Sequence, residues 1–267
     1  MQQENSIRAV IFDLDGVVWR GNTPLPGAQD IFTYLRENNI PFALATNNAT
    51  ASREEFKQRM EDIGVPVSVE EITTSAVATA EYLKGEYPPG TKVIMLGENG
   101  LMQAMLDAGL TLVEDPEEAE IAVSAMDREL TWKKLNKMVN AIRRGIPYIA
   151  TNGDGSFPLE NGYGVGSGGI MAALEKASDV KALTIGKPEP RMYEIVMKRL
   201  QAKPQSILVL GDRLETDILG AIRAGMKTGL LLTGVTSREM LETSSIQPDL
   251  IFEDLFEVIE FLTGGRH

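Results

Sequence analysis

Short apolar runs alternate with amphipathic stretches along the first part of the chain: IRAVIF, a segment around DIFTYLRENN, the run PFALAT, and then REEFKQRMEDIG. Brief apolar runs bounded by turn residues read as buried strands, and apolar spacing near 3.6 reads as helix. The rhythm is therefore βαβα, which predicts a parallel sheet with helices covering its faces. It resumes toward the C-terminus with KALTIG, PRMYEIVMKRL, SILVLG, TDILGAIRAG, KTGLLL and FEVIEFL. The unbroken SILVL predicts a central strand, whereas KALTIG alternates. Between Thr46 and Lys187 lie about 140 residues, where one crossover needs roughly 30. The surplus has a rhythm of its own in TKVIMLG, LMQAMLDAG, IAVSAM, WKKLNKMVNAIRRG and PYIATN. The pattern predicts a core built from residues 1–81 and 181–267, and an inserted α/β domain at 82–180. GEYPPG forms the turn into the insertion, ASD near 178 forms the loop out of it, and EDPEEAE is a solvated linker.

Composition narrows the chemistry. The 267 residues are 43% hydrophobic and 24% charged, which is globular composition. The opening MQQENS lacks the regions of a signal peptide, and no apolar run approaches the ~18 residues that span a bilayer, so a cytoplasmic protein is expected. There is no cysteine, and the single histidine is His267 in a terminal GGRH. Thiol nucleophiles, Ser-His-Asp triads and Cys- or His-ligated metals are thereby excluded, leaving carboxylates, lysine and a hard cation for any hydrolytic chemistry. Asp and Glu outnumber Lys and Arg 38 to 26, for a formal charge of −12. Such a surface repels nucleic acid and anionic membranes, so neither is expected as a partner.

Candidate chemistry gathers where strands end. Asp13 and Asp15 follow VIF, Thr46 and Asn47 follow ALA, Lys187 follows TIG, and Asp212 follows LVLG. Two like charges ~4 Å apart repel by roughly 4 kcal/mol at an effective dielectric near 20. A shared proton, a bound cation or nearby basic donors must offset that repulsion at the acid pair. If the four strands share one parallel sheet, these groups converge at its carboxyl edge, where ligands bind. Asp13 and Asp212 then suit an octahedral Mg²⁺, with the Asp15 carbonyl as a further ligand. Lys187 can neutralise phosphate oxygens, and the Thr46 hydroxyl with neighbouring N–H groups can donate to them. Asp217 opens the next helix, either as a cap or behind the metal ligands. Trp19 either lines an entrance or packs, while Trp132 starts a helix capped by Thr131. GVGSGG at 164–169 matches a dinucleotide pattern, but PLENGY before it is no buried strand, so a tight helix entry is expected instead.

DLDGV from Asp13, TNN from Thr46, GKP from Gly186 and GDRLETDI from Gly211 together resemble the motifs of the haloacid dehalogenase superfamily of phosphohydrolases. The large insertion after TNN, with TSAVATAEYL before it and TNGDGSFPLENG within it, is similar to the NagD-like, p-nitrophenylphosphatase-like branch, subfamily IIA. That resemblance implies an α/β fold: a Rossmann-like core with a parallel sheet flanked by helices, and an inserted α/β cap of the C2a type. It also implies Mg²⁺ held by Asp13, Asp15 and Asp212, and a phosphate site of Thr46, Asn47, Asn48 and Lys187. In the reaction so implied, Asp13 becomes a phospho-aspartate, and Asp15 protonates the leaving alcohol and then deprotonates water. Caps of this subfamily often dimerise, which extends the expectation to a homodimer through the cap.

The substrate implied is a small-molecule phosphate monoester, and TNGDGSFPLENG resembles the loop that meets its leaving portion. Asn152, Asp154 and Phe157 are the candidate selecting residues. Some relatives carry histidine where Phe157 stands, and an unpaired Asp154 carboxylate would repel a second negative charge. Sugar phosphates or nucleoside monophosphates are therefore expected ahead of phosphoglycolate. A phosphoglycolate phosphatase is the alternative within the family. Beyond it stand a receiver-type module, which needs neither Asp15 nor so large an insertion, and a phosphate-ester binding protein without turnover, which would not need the intact acid pair.

Overall fold

The computed structural model describes residues 7–159 and 162–264. The MQQENS stretch, Glu160 and Asn161 of the TNGDGSFPLENG loop, and His267 lie outside the described residues. The chain divides into two compact units, one of Met1–Thr46, Phe56–Thr73 and Pro188–His267, the other of Asn47–Glu55 and Thr74–Lys187.

The first unit is built on a six-stranded sheet in the spatial order Leu250–Phe252, Lys227–Leu231, Ile207–Gly211, Ala9–Phe12, Phe42–Thr46 and Ile72–Thr74. Its two innermost strands are the continuous apolar runs AVIF and ILVLG, buried along their whole length. They run parallel, pairing Ala9 with Ile207 through Phe12 with Leu210. Strands that follow Ala9–Phe12 early in the chain lie to one side of it, and the later ones lie to the other. Order thus reverses between Ala9–Phe12 and Ile207–Gly211, which makes their carboxyl ends the topological switch point where α/β folds place ligands. Helix Ala28–Glu37 turns Ala28, Ile31, Phe32 and Leu35 inward, a single stripe at helical spacing. Phe32 packs with its ring centroid 4.8 Å from Phe12 and 4.9 Å from Phe42. Arg36, one turn further on, lays its guanidinium 4.4 Å from the Phe42 centroid and covers the edge of this cluster.

The second unit has a parallel five-stranded sheet in the order Leu183–Thr184, Tyr148–Ala150, Ile121–Ser124, Lys92–Leu96 and Thr111–Leu112. Ile94, Leu96, Ala122, Met138, Ile142, Tyr148, Ile170 and Leu174 form its core. Helix Trp132–Arg143 begins as its sequence suggests, with the Thr131 hydroxyl accepting from Lys134 N–H, while the Trp132 ring stays exposed.

KALTIG departs from the sequence expectation. Its strand, Leu183–Thr184, pairs with Ile149 and Ala150 in this second sheet and not in the sheet of Asp13 and Asp212. The ladder continues through Ile185 N–H to Ala150 O at 3.2 Å and Gly186 N–H to Thr151 O at 2.7 Å. A short strand has too little pattern to specify its sheet, and only long-range pairing decides it. ASD likewise closes helix Ser167–Ser178, with Asp179 as its left-handed cap, so the segment is a helix end. Part of TNGDGSFPLENG forms an antiparallel hairpin of Ser156–Leu159 with Gly162–Val165. The glycines that follow serve close packing: a Cβ on Gly166 or Gly168 would overlap the carbonyls of Asp154 and Gly153, and Gly168 N–H donates to Asp154 O at 2.8 Å. Among the described residues no helix is long and apolar enough to cross a membrane.

Phe32 is 3% exposed at the centre of the three-ring cluster. Phe32→Ala is expected to destabilise the first unit by about 3–5 kcal/mol, read from the midpoint of urea unfolding. A loss below about 1 kcal/mol would show that these rings do not carry the packing of that face.

Candidate active site

Parallel register brings two acids out of the sheet side by side. Phe12 pairs with Leu210, and Asp13 N–H extends the ladder to Leu210 O at 2.8 Å, so Asp13 and Asp212 leave neighbouring strands at nearly the same level. The chain then makes a turn of π-helix over Leu214–Ile218, a conformation that often marks functional sites. This turn carries Asp217, whose carboxylate accepts from Arg213 N–H at 3.1 Å and whose backbone carbonyl accepts from the Tyr193 hydroxyl at 3.3 Å. Asp13, Asp212 and Asp217 each offer an oxygen, and these oxygens all lie within 4.8 Å of one another. Asp217 thus stands with the other two and not merely at a helix start. The Asp15 side chain is outside this group.

Close packing fixes the Asp212 carboxylate. The stretch 233–236 wraps around it: Val235 N–H donates to Asp212 Oδ2 at 2.7 Å and Thr236 N–H to the Asp212 carbonyl at 3.1 Å. Gly16 and Gly234 flank the same oxygen so tightly that a Cβ on either would overlap it. Thr233 ties the two flanks together by donating its hydroxyl to Gly16 O at 2.6 Å. An all-oxygen donor set with no thiol or imidazole in it suits a hard divalent cation, so the residues present fit such an ion. Gly234 is unmarked in the sequence, where the TG pair after KTGLLL is the local sign of a tight loop.

Asp15 is organised separately. Leu14 O accepts N–H bonds from Val17, Val18 and Trp19 at 3.3, 2.8 and 3.2 Å, and Gly16 N–H closes the turn onto Trp19 O at 2.7 Å. Gly16 has φ 87°, which a side chain would strain. The turn folds the fully buried Trp19 back so that its Nε1–H donates to Asp15 Oδ1 at 2.9 Å. Arg59 stacks its guanidinium 3.8 Å from the Trp19 ring centroid and donates to Gly21 O. Burial holds the Arg59 guanidinium below its ordinary pKa range, and the nearby Asp15 charge works against that shift. Trp19 is therefore a packed residue that also orients an acid.

The remaining sequence candidates are distributed between the units. Thr46 ends strand Phe42–Thr46 in the first unit and is buried. In the second unit, Asn47 Nδ2 donates to Lys187 O at 2.8 Å and to Asp154 Oδ2 at 3.1 Å, and its Oδ1 accepts from Lys187 N–H at 2.9 Å. Both donors of the carboxamide are engaged, so the Asn47 side chain has none left for phosphate. Asp154 likewise does not match the unpaired carboxylate expected of it, because Asn47 holds it. The Asn48 side chain accepts from the N–H and hydroxyl of Thr50 at 2.9 and 2.8 Å, an arrangement that shapes its own loop. Asn152 Nδ2 donates to Asn47 O at 2.8 Å, and Ser75, unmarked in the sequence, donates to the same carbonyl at 2.6 Å. Lys187 is 2% exposed. Phe157 lies in the hairpin opposite Gly164, where its ring occupies the space a side chain would take.

Comparison with known proteins places this geometry in context. Residues 10–111 match the family model described as haloacid dehalogenase-like hydrolase, and residues 184–258 match an HAD-hydrolase-like model. An acid sugar phosphatase from Staphylococcus saprophyticus is 36% identical over 255 residues, covering 96% of this chain and 98% of the relative. The solved structures similar to this chain include a p-nitrophenyl phosphatase from Archaeoglobus fulgidus, with TM-score 0.92 and 33% identity over 96% of this chain and all of that one. A glycerol phosphate phosphatase from Mycobacterium tuberculosis in complex with magnesium superposes with TM-score 0.88 at 31% identity, covering 96% of this chain and 77% of that one.

Inserting a methyl group at Gly234 would force Asp212 to move. Overpacking of this kind costs about 1–3 kcal/mol, so Gly234→Ala is expected to weaken binding of a divalent cation roughly tenfold or more. The measurement is the Mg²⁺ concentration needed to raise the melting temperature of the metal-stripped protein, with circular dichroism as the check on fold. A Mg²⁺ response equal to that of the unsubstituted protein would contradict the proposed role of this packing.

Proposed function

The chain belongs to the haloacid dehalogenase-like hydrolases and is a phosphatase of that family, and from this premise we propose a Mg²⁺-dependent phosphomonoesterase that works through a phospho-aspartate on Asp13. The observation that carries this reading is the triad Asp13, Asp212 and Asp217 at the switch point of the first unit's sheet. Those three side chains, with the Asp15 backbone carbonyl, would hold the ion, which would supply positive charge to offset the carboxylates and the phosphate dianion.

The chain's own residues then divide the work. The Asp13 carboxylate attacks phosphorus and the ester P–O bond breaks, with the electron pair leaving on the alcohol oxygen. Asp15 gives that oxygen its proton. In the second half Asp15 takes a proton from water, whose oxygen attacks the phosphorus of phospho-Asp13, releasing inorganic phosphate and restoring the Asp13 carboxylate. Trp19 supports this role because its indole N–H can only donate, so Asp15 Oδ1 stays an acceptor and the other oxygen is left to carry the proton. Lys187 neutralises the phosphate oxygens, and the Thr46 hydroxyl with the N–H groups of Asn47 and Asn48 donates to them.

The proposed substrates are sugar and polyol phosphates, ahead of nucleoside monophosphates and of phosphoglycolate. Relatives named for sugar phosphate and glycerol phosphate support this choice. So does the apolar Phe157 in the hairpin, which offers no charge to a second anionic group.

Asp13→Asn keeps the side chain's size but removes the nucleophile, and is expected to lower kcat by ~10³-fold or more with the fold intact. A chelator is expected to silence the unsubstituted enzyme, and added Mg²⁺ to restore it, in a p-nitrophenyl phosphate assay. Full activity of either the Asp13→Asn variant or a metal-stripped sample would overturn the mechanism.

A further inference from the structure

Asn47, Asn152 and Asp154 form a closed ring of hydrogen bonds with the backbone of Lys187 attached to it. Asn47 Nδ2 donates to Asp154 Oδ2, Asp154 N–H donates to Asn152 Oδ1 at 3.1 Å, and Asn152 Nδ2 donates back to Asn47 O. From this ring the Asn47 carboxamide pairs with both the N–H and the C=O of Lys187, at 2.9 and 2.8 Å, as a neighbouring strand would. Gly186 makes the approach possible, since a Cβ there would stand 2.6 Å from both Asn47 Oδ1 and Thr151 O. The pairing begins where the Leu183–Thr184 ladder ends, so the lysine backbone is held without a gap from Leu183 to Lys187. A lysine ammonium on a flexible four-carbon stem is a poor positioner by itself, and fixing its backbone while burying its stem removes much of that freedom.

We infer that Asn47 and Asp154 are positioning residues for Lys187: they tune affinity for the phosphoryl group shared by every substrate, and Asp154 does not select among leaving groups. This inference rests on the assignment of Lys187 to phosphate made above. It follows from connectivity, because the Asp154 carboxylate acts on Asn47, and Asn47 acts on the lysine backbone. Removing Asp154 frees one Asn47 donor and loosens the ring, whereas removing Asn47 releases Lys187 directly.

The test compares Asp154→Asn, Asp154→Ala, Asn47→Ala and Lys187→Ala in the full chain. Each is assayed with p-nitrophenyl phosphate and a hexose phosphate, and with inorganic phosphate as competitive inhibitor. Asp154→Ala and Asn47→Ala are expected to lower kcat/KM by about tenfold or more, by the same factor for both esters, and to weaken phosphate inhibition in proportion. Asp154→Asn, which keeps an acceptor for Asn47, is expected to recover most of that loss. Adding Asn47→Ala to Lys187→Ala is expected to change little further, since the two act through one group. Substrate-dependent losses with phosphate inhibition unchanged would overturn the inference and make Asp154 a selecting residue. If Lys187→Ala weakens phosphate inhibition and neither Asn47→Ala nor Asp154→Ala does, the inference fails while the lysine assignment stands. If Lys187→Ala leaves phosphate inhibition untouched, both fail. Should Asn47→Ala not fold, the two Asp154 variants on their part-exposed loop decide the outcome alone.

Discussion

Three carboxylates forced within 4.8 Å of one another are the constraint around which the first unit is arranged. At an effective dielectric near 20, each pair at ~4 Å carries roughly 4 kcal/mol of repulsion, which is comparable to the net stability of a domain. Such a cluster persists only if its backbone supports cannot yield and if something positive relieves it. Parallel pairing of the two central strands supplies the first condition for Asp13 and Asp212, and the π-helical turn supplies it for Asp217. A divalent cation would meet the second, and the oxygen-only donor set is suited to one.

The supports are mostly backbone. Val235 N–H holds Asp212, Arg213 N–H holds Asp217, and Leu210 O holds the main chain of Asp13. Backbone donors aimed at carboxylates neither shift between rotamers nor titrate, so they keep the acids placed while leaving other lone pairs for an ion. Glycines at 16 and 234 make that proximity possible, and their role is steric. In the second unit a comparable principle operates through side chains: the Asn47 carboxamide imitates a strand to hold Lys187. Each unit thus prepares its own charge, negative in the first and positive in the second.

Much of this was legible in the sequence because it depends on local pattern. Continuous apolar runs named the strands Ala9–Phe12 and Ile207–Gly211, and acids directly after them named Asp13 and Asp212. The sheet to which Leu183–Thr184 belongs was not legible, since a two-residue strand says nothing about its partner. Long-range side-chain bonds were equally hidden. Nothing local marks Asn47 as a strut, distinguishes Asp154 as paired, or shows that Trp19 turns back onto Asp15 under Arg59. For Asn47 the signal is three-dimensional: its carboxamide occupies the space that a Cβ on Gly186 would take.

The central claim is that Asp13, Asp212 and Asp217 together hold a divalent cation, and thermal unfolding with and without metal tests it most directly. Asp217→Asn keeps an acceptor for Arg213 N–H while removing one negative charge. The unsubstituted protein is expected to gain several degrees from Mg²⁺, and the variant to need roughly tenfold more Mg²⁺ for the same gain. An unsubstituted protein that gains nothing from Mg²⁺, or a variant whose Mg²⁺ response equals that of the unsubstituted protein, would contradict the account.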